Sequence, residues 1–162
     1  MDIDIPTQIR NLFEGIRHQE RMTHSSVVIA IAAILDNQLE HALKHAMRSL
    51  SNNMYERLFD PFRPLGDFAG KIVMAYALGI ISTDDFDELE KVRNIRNRFA
   101  HSSGVLHLGS PEIEPIFLTL KRPSTAVPTM SPPEVFLACV RVIEEHLKAY
   151  LATPPGGPEL QH

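Results

Sequence analysis

With 162 residues, the chain has the length of one domain able to bury a substantial core. Hydrophobic residues make up 44% and charged residues 22%, a globular rather than a disordered balance. The net charge of −4 excludes a surface that traps nucleic acid everywhere, so any such contact needs a local patch.

The single cysteine, Cys139, allows no internal disulfide and no cysteine-based zinc site. The most apolar run, residues 27–35, is about half a membrane span. The first ten residues, MDIDIPTQIR, carry acids where a secretory leader carries bases. A cytoplasmic protein that spans no membrane is the expectation.

The first element expected is a helix over residues 6–22. Pro6 suits a first turn, and Ile9, Leu12, Phe13 and Ile16 form a narrow apolar stripe. Thr23, Ser25 and Ser26 then offer caps for a longer helix over residues 26–50. Its first half is apolar all round, the mark of a helix at the centre of a bundle. Its second half narrows to Leu35, Leu39, Ala42, Ala46 and Leu50.

Asp36 follows the fully apolar stretch, and two readings stay open for it: a half-exposed carboxylate, or a partner for an arginine further along. His41 and His45 have the i,i+4 spacing of metal ligands on a helix. With Asn37 they also form a polar column, so a solvated face without metal is expected.

Residues 51–64 contain two prolines and read as a connection. Met54, Tyr55, Leu58, Phe59 and Phe62 make it apolar enough for a helical turn that closes the bundle or meets a second subunit. A third helix is expected over residues 65–80, with Asp67 in its first turn and Gly79 as a C-terminal cap. Ser82, Thr83, Asp84 and Asp85 then open a further helix.

That helix ends in FDELEKVRNIRNRFAH, residues 86–101. Phe86, Leu89, Val92, Ile95 and Phe99 recur at three or four residues and define a buried face. Arg96 falls in the same stripe, four residues after Val92 and three before Phe99. A cation there needs a partner or a cleft. Asn97 shares a face with His101, so an arginine, an amide and a histidine gather near one helix end. Lys91, Arg93 and Arg98 are accounted for by the helix dipole, with acids in the first half and bases in the second. Arg96 is not.

Residues 102–131 are poor in helix signals. Residues 105–108 and 116–120 have β character, so a hairpin or an extended arm over the bundle is expected. His107 is read as a surface histidine. Pro132 and Pro133 open a last helix, residues 132–151, with Phe136, Cys139, Val140, Ile143, Leu147 and Tyr150 inward. Arg141, Glu144, Glu145 and Lys148 are assigned to water, and residues 152–162 to a disordered tail. The whole is an all-α bundle of about five helices in one domain, residues 1–151, with 102–131 as an insertion.

Arg96-Asn97-Arg98-Phe99-Ala100-His101 resembles the RNxxxH signature of HEPN domains. A second run is similar to the mannitol-repressor family of bacterial regulators, whose fold is HEPN-like. It comprises Pro64-Leu65-Gly66-Asp67-Phe68, Lys71 and Ala75-Tyr76-Ala77-Leu78-Gly79-Ile80-Ile81. The resemblance extends over residues 26–101. The HEPN likeness implies a homodimer through the Arg96 helix and metal-independent RNA cleavage by 2′-hydroxyl attack. Arg96 would clamp phosphate, His101 move protons, Asn97 orient either group and Asp36 support Arg96.

Arg93 and Arg98 would add phosphate or RNA contacts in that scheme, with no cofactor and no metal. The mannitol-repressor likeness implies a regulator instead. No helix-turn-helix, zinc finger or basic recognition helix is evident, so such a regulator is expected to act through protein partners or RNA rather than by reading DNA. In that case Arg96, Asn97 and His101 are structural, with Asn97 and His101 capping and pairing at a helix end.

Overall fold

A helix that is apolar on every side can be satisfied only by neighbours on several sides, and the longest helix has them. The structure, a computed structural model, describes residues 24–47, 49–103 and 106–155. The helix expected over residues 6–22 lies outside them, as do residues 156–162 of the expected tail. Among the described residues the protein is all-α. Helix α1, His24–Ala46, packs against three other helices and buries Val27, Val28, Ile31, Leu35, Leu39, Ala42 and Leu43. It is long and apolar enough to cross a membrane, but half of its apolar window is buried inside the bundle.

The connection after α1 is a short helix, α2 (Asn52–Phe59), started by Ser51, whose hydroxyl accepts from the Met54 N–H. A tight turn follows in which Gly66 is obligatory, because a Cβ there would strike the Asp60 carbonyl. Helix α3, Phe68–Ala77, begins at Asp67, whose carboxylate accepts from the Gly70 N–H at 2.7 Å. It ends on Gly79 at φ 69°, with the Ile80 N–H reaching back to the Ala75 carbonyl.

Helix α4, Thr83–His101, is fixed at its start by a capping box between Ser82 and Asp85. It buries Leu89, Val92, Ile95 and Phe99, together with two acids the periodic pattern assigned to the dipole, Asp85 and Glu88.

No strand occurs among the described residues, so the expected hairpin gives way to its alternative, an arm. Ile116 and Phe117 lie in a single helical turn, α5 (Glu114–Phe117), followed by further turns to Leu120. The reason is spacing. Ile113, Phe117 and Leu120 recur at four and three residues and all are buried, which a helical turn allows and a strand does not.

The arm is pinned to α4 through Glu88. Its carboxylate takes Lys91 Nζ at 2.6 Å and the Lys121 N–H at 2.9 Å, while Lys91 also donates to the Thr119 carbonyl. At the other end, the Leu108 N–H donates to His24 Nδ1 at 2.9 Å.

Helix α6, Pro132–Leu151, closes the bundle against α1. Phe136, Cys139, Val140, Ile143 and Leu147 are buried as expected. Glu144, assigned to water, is instead buried, with Lys148 Nζ 2.6 Å from it. Thr153 belongs to the fold as well, since its carbonyl lies 2.9 Å from His45 Nε2.

Candidate functional site

Three elements meet around Arg96. The start of α3 contributes Asp67 and Phe68, α1 contributes Ile29, Ala32, Ala33 and Asp36, and α4 contributes Arg96 itself. Together they line an open cleft of about 280 Å³. Arg96 therefore does not lie buried in the apolar stripe: Val92 and Phe99 on either side of it are buried, and it is exposed. The stripe opens into a cleft at that point, which is how a cation tolerates the position.

The Arg96 guanidinium donates from Nη1 to Asn97 Oδ1 at 2.9 Å. It forms no ion pair with an acid among the described residues. A smaller adjoining hollow of about 180 Å³ is lined by Arg96, Asn97, Arg93, Asp67, Phe68 and Ala69. Arg93 is neutralised within its own helix by Glu90, 2.6 Å away, which holds its guanidinium above the ordinary range. Arg98 bonds Asn94 Oδ1 at 3.2 Å and lines neither hollow.

Asp36 does share the Arg96 cleft, but its ion-pair partner is Lys71, a residue given no role in the sequence reading. Lys71 Nζ lies 3.1 Å from Asp36 Oδ1 and 2.8 Å from Glu40 Oε2, with its side chain only 5% exposed. The Asp36 contact is close enough for charge attraction yet off the line of a hydrogen bond. Burial raises the Asp36 carboxyl above its ordinary range, and the nearby Lys71 only partly opposes that. Burial also opposes ionisation of Glu40, but bonds from Lys44 and Lys71 outweigh it and hold the carboxyl low. Burial likewise works against the Lys71 charge, and its two acids overcome it. The mid-helix spacing of Asp36 and Glu40, one turn apart, was the available signal for a buried lysine between them.

His101 ends α4, exposed, and lines neither hollow. Five residues separate it from Arg96, about 140° around a helix. One copy of the chain thus brings Arg96, Asn97, Arg93 and Asp36 together and leaves His101 apart. His41 is exposed, and His45 is engaged by the Thr153 carbonyl and the edge of the Tyr150 ring. No cluster of three potential ligands for a metal occurs among the described residues. Compared with protein-family models, curated proteins and solved structures, the chain matches none of them.

Proposed function

We propose that this chain is a regulatory protein of the mannitol-repressor-like kind that acts in the cytoplasm by docking a protein partner, without reading DNA. The observation that carries this reading is the setting of Arg96. It stands exposed, paired to no acid among the described residues, on a cleft whose other walls include apolar Ile29, Ala32, Ala33 and Phe68 and acidic Asp36 and Asp67. A protein segment supplies apolar groups and charges of both signs, which suits such a wall. A polyanion would meet two carboxylates there.

A second reading, the metal-independent endoribonuclease, is favoured by one observation: Arg96 is not consumed by the core. In it, a homodimer through α4 brings Arg96 of one copy to His101 of the other. Arg96 then clamps the phosphate and stabilises its developing charge, Asn97 orients the reacting groups, and His101 moves the proton of the ribose 2′-hydroxyl. Arg93 and Arg98 add phosphate contacts.

Incubating a mixed RNA pool in EDTA with wild type, Arg96→Ala and His101→Ala separates the two readings. The regulator reading expects no cutting by any of them. Cutting by wild type that is lost in both variants, each still folded, would overturn it in favour of the nuclease.

A further inference from the structure

The charges around the Arg96 cleft balance, but two of them balance only at a distance. Asp36 is met by Lys71 at 3.1 Å, and Glu40, the second acid on Lys71, is also met by Lys44 at 2.7 Å. Arg93 is met by Glu90 at 2.6 Å. That leaves Arg96 and Asp67, which line both the cleft and the smaller hollow beside it. They form no ion pair with each other or with any other described residue. Arg96 donates from Nη1 to Asn97, and Asp67 accepts the Gly70 N–H on Oδ1. The rest of the guanidinium fork and Asp67 Oδ2 have no partner among the described residues.

We propose that this cleft binds a small zwitterion, an α-amino acid with an apolar side chain. Elimination gives the charge type. An anion would lie beside Asp67 and a cation beside Arg96, while an uncharged apolar group would dry both charges and pair neither. A molecule with one charge of each sign pairs both. Its carboxylate matches the planar fork of Arg96, and the three donors of its ammonium can serve Asp67 Oδ2. The side chain then covers Ile29, Ala32 and Ala33 of α1 and Phe68 of α3. Ile29, 38% exposed, is apolar surface that such a ligand removes from water. At about 280 Å³ the cleft falls just below the roughly 300–1,000 Å³ of drug-sized sites, so a molecule of leucine's size is the match.

The inference goes beyond the partner-docking reading, since it needs only the cleft. Where both hold, the amino acid covers the wall offered to the partner and so controls docking.

The test titrates the isotope-labelled full chain with L-leucine, with isocaproate, which lacks the ammonium, and with leucinamide, which lacks the carboxylate. Amide NMR shifts give the affinity, locate the ligand and report that each variant is folded. Leucine is expected to bind with a dissociation constant on the order of 0.1–1 mM, and each analogue about tenfold or more weakly. Arg96→Gln should abolish the preference for leucine over leucinamide and keep that over isocaproate. Asp67→Asn should do the reverse, and it retains an oxygen to cap Gly70. Arg57→Gln, at an exposed site on α2, should change nothing.

The absence of a saturable shift around Ala33 and Phe68 at about 10 mM leucine overturns the proposal. So does equal binding of all three molecules, which marks apolar adsorption, or isocaproate binding tighter than leucine, which marks an anion site. Preferences unchanged in both charge variants also overturn it, because the two poles would then lie elsewhere. Each of these results leaves the regulator reading to the RNA experiment, which involves no amino acid.

Discussion

Two basic residues separate function from structure most clearly. Lys71 is enclosed with Asp36 and Glu40, whereas Arg96 is exposed and, among the described residues, bonded only to an amide. Removing Lys71 leaves two partly buried carboxylates without a counter-charge, and breaking buried pairs in this way is costly. Because Asp36 and Glu40 retain some solvent, Lys71→Met is expected to lose about 2 kcal/mol of stability. Arg96→Ala is expected to stay within about 0.5 kcal/mol of wild type. Urea melts of both variants check this, and a large loss for Arg96→Ala would return the arginine to a structural role. Arg96 was legible as an anomaly because the apolar period ran straight through it. Its exposure was not legible, because the period of one helix says nothing of where its neighbours stop. Lys71 was missed for the mirror reason. Nothing within α3 marks it as buried, and its acids lie on α1.

Among the elements, the arm is held by the most specific set of polar contacts and was the least readable. Its buried residues are sparse, and only their four-and-three spacing distinguished helical turns from the hairpin that β-branched content suggested. Two predictions follow from its anchors. His24 accepts the Leu108 N–H through Nδ1, which requires an unprotonated nitrogen. Burial, and then the neighbouring His107, lower its pKa from the ordinary 6.5. A histidine depressed in the folded state binds fewer protons there than when unfolded. Its stabilisation is therefore complete above pH 6.5 and is lost as pH falls through the lower folded value. The stability gap between wild type and His24→Ala, taken from urea melts, should shrink between pH 7.5 and pH 5, roughly the histidine range. A gap that stays constant would show that the Leu108 contact does not depend on this titration. Glu88 is the second anchor, and it also bears on Cys139, the sole cysteine. Burial, and then the Glu88 charge, push that thiol up to about 11, so it should react slowly with thiol reagents. Glu88→Gln removes that charge and weakens the hold on Lys91 and Lys121. Cys139 labelling should accelerate well beyond any change in global stability, and an unchanged rate would mean the arm is held without Glu88.

At the scale of the whole molecule, α1 was the most legible part. An apolar circumference over residues 27–35 leaves a helix few places to be other than a bundle's centre, and its contacts with α3, α4 and α6 follow from that. Helix α6 was read to its bounds for a related reason: two opening prolines and one apolar stripe agree with one another. The candidate site was only half legible, since Arg96 and Asn97 come from one helix but their cleft depends on how α1 and the start of α3 lie beside it. The same centrality predicts how the molecule comes apart. Leu39 is completely buried in α1, so Leu39→Ala should cost about 2–5 kcal/mol. If the bundle and its arm form one cooperative unit, loss of helical circular dichroism and exposure of Cys139 should shift together in the variant, with coincident midpoints. Cys139 lies on α6 within reach of the charge of Glu88, the arm's anchor, which makes the comparison informative. Thiol exposure that precedes the loss of helix would show that the arm and α6 open as a separate unit of lower stability.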